Sequence, residues 1–250
     1  MLLSPFEQFE LRLFLPISFN EVNISISNTT VSMGLVVGTF WLLYYLAIQK
    51  NPELVPRAWQ VVLEFVYETL FSIVKDNTGG KKGLIYFPFL FTLFSFIFLC
   101  NVLGMMPYSF TVTSHICITF GLAFSVCLAL VVIGLMTHKL KFFSSFLPKG
   151  SPLALAPLLI GIELLSYVSH AFSLSIRLFA NMMAGHALLK ILAGFIWIMG
   201  SVGGLFYLAS LIPLSIVFAL TFLEIGIAML QAYVFTVLSA IYIKDTLYLH

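Results

Sequence analysis

The sequence has very little charge. Only 9% of its 250 residues are Asp, Glu, Lys or Arg, whereas a soluble domain has about 25%. Hydrophobic residues make up 61% of the chain. This composition excludes a water-soluble globular domain and indicates an integral membrane protein, whose backbone must form helices or a closed barrel.

Other features are also missing. The apolar runs lack the alternation that barrel strands show over about ten residues, so we predict helices. The formal net charge of +2 is too small to suggest a nucleic-acid partner. The three cysteines, Cys100, Cys117 and Cys127, lie in apolar runs without a CxxC pair or metal-ligand spacing. We therefore expect no disulfide, metal or cofactor site.

The N-terminal stretch MLLSPFEQFELRLF lacks the basic region of a secretory signal. Whether a short leader is cleaved is left open. Both basic loops, residues 75–82 and 138–150, fall on the same side of the membrane. Short basic loops face the cytoplasm or its mitochondrial equivalent, the matrix. This places the N-terminus on the opposite side of the membrane.

The apolar runs predict a single all-α membrane domain, residues 1–250, with about four to five membrane-embedded helices. Residues 31–48 are long enough to span about 30 Å of hydrocarbon. Residues 53–75 carry polar side chains at steps of three, four and seven, which predicts an amphipathic helix in the membrane interface. Residues 84–136 predict a transmembrane hairpin, because the link PYSFTVTSH between its two apolar runs is short.

The last hundred residues predict two long helices within 152–243. No strong breaker follows Pro157 before residue 197. A continuous helix of about 46 residues would extend roughly 69 Å, whereas about 20 residues cross the bilayer. The segment must therefore break or lie strongly tilted. Gly203 and Gly204 supply a turn, so the two helices are expected to be antiparallel.

These two predicted helices contain the ionisable and polar side chains that are the candidates for a functional site. Ionisable side chains inside a membrane are unfavourable by about 3 kcal/mol or more and usually mark a pathway. Folding the chain back at the two glycines brings three polar pairs opposite each other. The pairs are Glu163 with Asp245, Arg177 with Gln231, and His186 with Glu224.

Arg177 is the unusual member of this set. Arginine keeps its proton, so it cannot relay protons and needs a counter-ion. Gln231 is neutral, and we therefore predict a carboxylate on another subunit. Small residues share the face of Arg177 and let another helix come close, whereas His186 points to the opposite face. The small residues are Ser166, Ser169, Ser173, Ala180, Ala184 and Ala187.

Three segments carry a family resemblance. ELLSYVSHAFSLSIRLFANMMAGH, FLEIGIAMLQAYVFTVLSAIYIKD and FPFLFTLFSFIFLCNVLGMMPYSF together resemble subunit a of the rotary, F-type ATP synthase. The resemblance covers nearly the whole chain from about residue 80, and RLFANMMAGH is a highly specific pattern. His186 with Glu224 resembles the mitochondrial form, and the terminal YIKDTLYLH resembles fungal versions.

The resemblance implies a proton-translocating stator subunit beside a c-ring, each of whose subunits bears one membrane carboxylate. Arg177 would be the essential gate that attracts each deprotonated ring carboxylate. His186 and Glu224 would serve the half-channel open to the intermembrane space. Glu163 and Asp245 would serve the one open to the matrix. Asn181 and Gln231 would position the arginine.

The resemblance also implies a location and partners. The chain would lie in the mitochondrial inner membrane, with its N-terminus toward the intermembrane space and its C-terminus toward the matrix. Its long tilted hairpin would face the c-ring. Its partners would be the c-ring, peripheral-stalk and other membrane-sector subunits, the lipid bilayer and possibly a second synthase. It would not be an enzyme on its own.

Other functions fit the residues less well. A stand-alone proton-coupled secondary transporter would need its own counter-ion for Arg177 and usually has broken helices. A haem subunit would need His170 and His186 on one face, but they are 16 residues apart and point differently. A voltage sensor would need an arginine series. His170 is expected to be a packed or hydrogen-bonded residue, and Lys190 to snorkel or line an aqueous route.

Overall fold

The structure is a computed structural model that describes residues 7–16, 18–19, 22–23, 25–48, 58–80, 82–106, 109–139 and 156–248. Within these ranges five helices are long and apolar enough to cross a membrane. The predicted all-α membrane fold is therefore confirmed.

The N-terminal region holds small sheets that the sequence pattern did not predict. Strand β1 pairs antiparallel with β4, and β2 pairs antiparallel with β3. The amide of Asn28 ties this region together, because its Oδ1 accepts a hydrogen bond from the Arg12 backbone and its Nδ2 donates to the Glu10 carbonyl. The strands are β1 (Leu13–Leu15), β2 (Ser18–Phe19), β3 (Val22–Asn23) and β4 (Ile26–Ser27).

The first two helices are α1 (Asn28–Ile48) and α2 (Ala58–Asn77). Helix α1 corresponds to the span predicted for 31–48. Helix α2 corresponds to the amphipathic helix predicted for 53–75, whose first five positions lie outside the described residues. It packs against the later helices of the bundle and buries Leu70 and Val74. Its placement in the membrane interface stays a prediction.

The predicted hairpin is formed by α3 (Phe87–Gly104) and α4 (Ile116–His138). The part of the link between them at residues 111–114 is buried in the bundle rather than on its surface. It forms a 3-10 turn, Val112–Ser114, and Thr111 and Thr113 beside and within this turn are buried. This inward fold brings polar side chains of the link to the interior of the bundle.

The last two long helices are α5 (Ala156–Val202) and α7 (Leu211–Leu247), joined through the short α6 (Leu205–Ala209). Gly203 and Gly204 have φ angles of +74° and +62°, a conformation that glycine adopts without a steric penalty. The predicted turn is therefore present. Helix α5 is uninterrupted over 47 residues. A helix of that length extends about 70 Å, which requires a strong tilt in a hydrocarbon layer of about 30 Å.

The core lies where the hairpin and the long helices meet. Helix α5 packs against α4 and α7, and α7 also packs against α3. Six large apolar side chains that are almost fully buried come from four helices, α2, α3, α5 and α7. They are Val74, Leu90, Ile97, Leu178, Phe235 and Ile243.

Candidate functional site

The centre of the site is a histidine and a carboxyl group between α5 and α7. His186 Nδ1 lies 3.5 Å from Glu224 Oε1, and the two side chains are only 14% and 7% exposed. This is the contact that folding the chain back at the glycines predicted. Both Glu224 oxygens are buried without a hydrogen-bond donor among the described residues. A buried carboxyl group in this state is stabilised by a proton or a positive neighbour, and the His186 imidazole is placed to supply either.

Close contact between the two helices brings the carboxyl group to this position. A Cβ atom added at Gly185 would lie 2.6 Å from Glu224 Oε1. Any other residue at 185 would therefore push the carboxyl group away from α5. Glycine leaves the space that the Glu224 side chain occupies.

The link between α3 and α4 contacts His186 from its other side. Thr111 Oγ1 lies 3.1 Å from His186 Nε2 and 3.1 Å from the Gly104 carbonyl oxygen. Close packing holds this threonine, since a Cβ at Gly104 would lie 2.7 Å from Thr111 Cγ2. We did not name Thr111 from the sequence. The signal was the polar run TVTSH between two apolar segments.

A second polar link that the sequence pattern did not reveal joins α3 to α7. Asn101 is fully buried. Its Nδ2 donates a hydrogen bond to the Ala228 carbonyl (3.3 Å), and its Oδ1 accepts one from Thr113 Oγ1 (3.0 Å). The signal was a single amide in the otherwise apolar stretch FLCNVLG. Outside the predicted spans, burial lowers the pKa of His115, which follows the 3-10 turn of this link.

The two predicted amide residues contact each other. Asn181 Nδ2 donates a hydrogen bond to Gln231 Oε1 over 3.1 Å. We had placed Gln231 opposite Arg177, so its partner in α5 lies about one helical turn further along than predicted. Positions 177 and 181 share one face of α5, one turn apart, so a count along the chain does not decide which of them contacts Gln231, which is 2% exposed.

Arg177 is exposed and makes no hydrogen bond or ion pair with any residue that the structure describes. It acts electrostatically on the Tyr242 hydroxyl, as does Asp245. The small residues on its face remain uncovered or half-covered. Ser169, Ser173, Ala180 and Ala184 are exposed, and Ser166 and Ala187 are half-buried.

The remaining predicted residues lie toward the other end of the pair. His170 Nδ1 is 2.7 Å from the Tyr242 hydroxyl, and its Nε2 is 3.4 Å from Ser166 Oγ. His170 is thus the hydrogen-bonded residue that we expected. Asp245 is exposed near the end of α7. The Glu163 side chain lies outside the described residues, so its pairing with Asp245 stays a prediction.

Among the described residues no three His, Cys, Asp or Glu side chains cluster as metal ligands would. The arrangement of His186 and Glu224 is suited to proton exchange, because an imidazole nitrogen that can accept a proton lies 3.5 Å from a carboxyl oxygen that can release one. Lys190, four residues after His186, is half-buried on α5. The fold and these groups define a helical membrane protein with pairs of polar side chains between its two longest helices.

Known proteins are similar to this chain over its whole length. Residues 29–244 match the family model described as ATP synthase A chain, and the chain belongs to this family, that of the proton-translocating membrane subunit of the synthase. The protein named ATP synthase subunit a from Chondrus crispus is 52% identical over 248 residues, covering 99% of this chain and 97% of the relative.

Two further relatives carry the same name. The protein from Marchantia polymorpha is 47% identical over 252 residues and covers 100% of both chains. The one from Rhodospirillum rubrum is 45% identical over 247 residues, with 99% of both chains covered. The particular likeness to fungal versions stays a prediction.

Proposed function

We propose that this chain, a membrane-sector subunit of an ATP synthase, carries protons through two offset half-channels and exchanges them with the carboxylates of a c-ring beside Arg177. The observation that supports this most is the position of Arg177. It is exposed on a face of small residues, without an ion pair among the described residues, while His186 lies half-buried with Glu224 on the other side of the same helix.

A permanent cation on an uncovered helix face requires a partner that brings a negative charge. A ring carboxylate that passes along the small-residue face meets this requirement. The pair must form and separate at each step of rotation. A partly hydrated, mobile pair allows this, whereas a permanent buried salt bridge would take about 3–5 kcal/mol to disrupt. One elementary charge that crosses the membrane releases about 2.3 kcal/mol per 100 mV.

The two proposed proton-exchanging pairs, Glu163 with Asp245 and His186 with Glu224, lie far apart along the long helices. Glu163 and His186 are separated by 23 positions, or roughly 35 Å along a helix. In our proposal His186 and Glu224 load protons from the intermembrane space. Glu163 and Asp245 release them to the matrix, and Asn181 with Gln231 holds the surroundings of Arg177. A proton can cross the membrane only while it is bound to a ring carboxylate that rotates from one half-channel to the other.

The assembly follows from the same proposal. The chain is not an enzyme on its own, and it works with the c-ring, the peripheral stalk and other membrane-sector subunits in the mitochondrial inner membrane. Its N-terminus faces the intermembrane space and its C-terminus the matrix. A self-contained secondary transporter is the alternative, but such proteins usually break their helices at the midplane, and α5 and α7 are both continuous.

Replacement of Arg177 tests the proposal. Arg177→Ala should lower ATP synthesis by about two orders of magnitude or more, because the deprotonated ring carboxylate would lose its counter-ion, and an uncompensated charge in the membrane costs about 3 kcal/mol or more. Synthesis is measured in inner-membrane vesicles, with assembly checked by native electrophoresis. Arg12→Ala, an exposed arginine of the N-terminal sheets, is the matched control and should behave like the wild type. Normal synthesis by assembled Arg177→Ala complexes would contradict the gate.

A further inference from the structure

We propose that Thr111 is a positioning residue: it determines which ring nitrogen of His186 carries the proton, and so turns the free lone pair of the imidazole toward Glu224. This inference rests on the proposed function, in which His186 and Glu224 exchange protons. The observation behind it is that one hydroxyl group contacts both the imidazole and a backbone carbonyl.

The hydroxyl group of Thr111 has one hydrogen and two polar neighbours. Its Oγ1 lies 3.1 Å from the Gly104 carbonyl oxygen and 3.1 Å from His186 Nε2. The carbonyl oxygen can only accept a hydrogen bond. Both contacts are therefore hydrogen bonds only if Thr111 donates to Gly104 and accepts from Nε2–H of His186. The neutral imidazole then carries its proton on Nε2.

This tautomer decides what His186 presents to Glu224. A neutral imidazole has one N–H, so Nδ1 bears a lone pair. That lone pair faces Glu224 Oε1, 3.5 Å away. When Glu224 is protonated, its O–H bond breaks as the Nδ1–H bond forms, which leaves a carboxylate and an imidazolium. The reverse transfer restores both groups. With the other tautomer Nδ1 would already carry a hydrogen, and the neutral ring could not take the proton there.

The surroundings hold Thr111 in this position. Its side chain is buried, at 5% exposure, and its own carbonyl accepts a hydrogen bond from Ser114 Oγ at 2.6 Å. Its methyl group lies so close to α3 that only glycine fits at position 104. These contacts hold the hydroxyl group beside the imidazole, so in our proposal the fold sets the tautomer.

Two substitutions separate the hydroxyl group from the methyl group. Thr111→Val keeps the shape and removes the hydroxyl group, whereas Thr111→Ser keeps the hydroxyl group and removes the methyl group. We expect Thr111→Val to slow potential-driven proton conduction through the membrane sector of the assembled complex about threefold to tenfold, the factor that one net hydrogen bond is worth. Thr111→Ser should restore it. Thr92→Val, whose hydroxyl group bonds only its own helix, is the control and should conduct normally.

A double-mutant cycle tests whether Thr111 acts through His186. In a His186→Gln background, Thr111→Val should cause no further loss. Equal losses with and without His186, or a Thr111→Ser variant as slow as Thr111→Val, would overturn the inference. If His186→Gln itself conducts normally, the proposed half-channel is wrong. If His186→Gln is slow but Thr111→Val conducts normally, only the role of Thr111 is wrong.

A spectroscopic measurement reads the tautomer directly in the wild-type complex. Nitrogen-15 NMR of the complex labelled at the histidines of this chain, with the His186 signals assigned by their loss in His186→Gln, should show the Nε2–H form. An Nδ1–H form for neutral His186 would overturn the inference, whether or not the Thr111 variants assemble.

Discussion

At the scale of single residues, the site depends on glycines as much as on charged groups. Glu224 is polar and long, yet it is 5% exposed between two apolar helices. Space for its carboxyl group exists because position 185 lacks a side chain. The same holds at Gly104, where the missing side chain leaves room for the methyl group of Thr111. Small residues thus place the two polar neighbours of His186.

Gly185→Ala tests this dependence. The added methyl carbon would lie 2.6 Å from Glu224 Oε1, so the carboxyl group must move away from its place beside His186. We expect proton conduction to fall roughly tenfold, because proton exchange requires the two groups to lie within hydrogen-bond reach of each other. Gly200→Ala is the control, since a Cβ there meets nothing within 4 Å and alanine favours a helix by about 1 kcal/mol. Normal conduction by Gly185→Ala would show that the carboxyl group need not occupy this position.

At the scale of helices, the register between α5 and α7 decides which polar groups meet. Hydrophobic runs locate the helices, and the two glycines locate the turn. Counting back from that turn led to the contact of His186 with Glu224, which is present. The same count placed Gln231 one turn away from its partner Asn181. A count along the chain ignores how far each side chain reaches, and this explains the difference.

Cysteine pairs can measure this register. In a chain whose three native cysteines are replaced, the pair Asn181→Cys with Gln231→Cys should react with a short thiol crosslinker several times faster than Arg177→Cys with Gln231→Cys. The reason is that the amides of 181 and 231 meet at 3.1 Å, while position 177 lies one helical turn away from that contact. The yield is read as the electrophoretic shift of the chain. Faster crosslinking of the 177 pair would show that the register is the one first predicted.

At the scale of the whole molecule, the exposed face of α5 is the surface on which we propose that the ring moves. Four small residues around Arg177 are exposed, although the opposite side of the helix is packed in the bundle. Apolar residues are exposed on most outer surfaces, as lipid contact allows. The face around Arg177 differs from those surfaces because it combines small side chains with a charge.

A large side chain on this face should keep the ring away. Ala180→Phe should lower ATP synthesis roughly tenfold or more while the chain itself still inserts, because close approach requires small residues. Ala193→Phe makes the same change at an exposed alanine of α5, about 160° around the helix from Arg177, and should be tolerated. Synthesis in vesicles, with the amounts of both chains measured by immunoblotting, gives the comparison. Equal effects of the two variants would argue against a ring on this face.

Much of the fold could be predicted from the amino-acid sequence. The spans, the hairpin of α3 and α4 and the glycine turn follow from runs of apolar residues and their lengths, because a bilayer demands helices of a set minimum length. The small N-terminal sheets could not be predicted from the sequence, since strands of two or three residues show no periodic pattern of hydrophobic residues. The link with Thr111 was also missed, because a short polar stretch between two spans does not show whether it turns outward or inward.

The residue types therefore established that the chain is a membrane protein, and they predict that Arg177 needs a partner and that His186 and Glu224 exchange a proton. These properties belong to side chains and to the cost of charge in lipid. Which atoms face each other was settled by packing: Asn181 rather than Arg177 against Gln231, and Thr111 behind His186. Such contacts depend on side-chain reach and on the space left by glycines on neighbouring helices, and neither quantity is visible along a single chain.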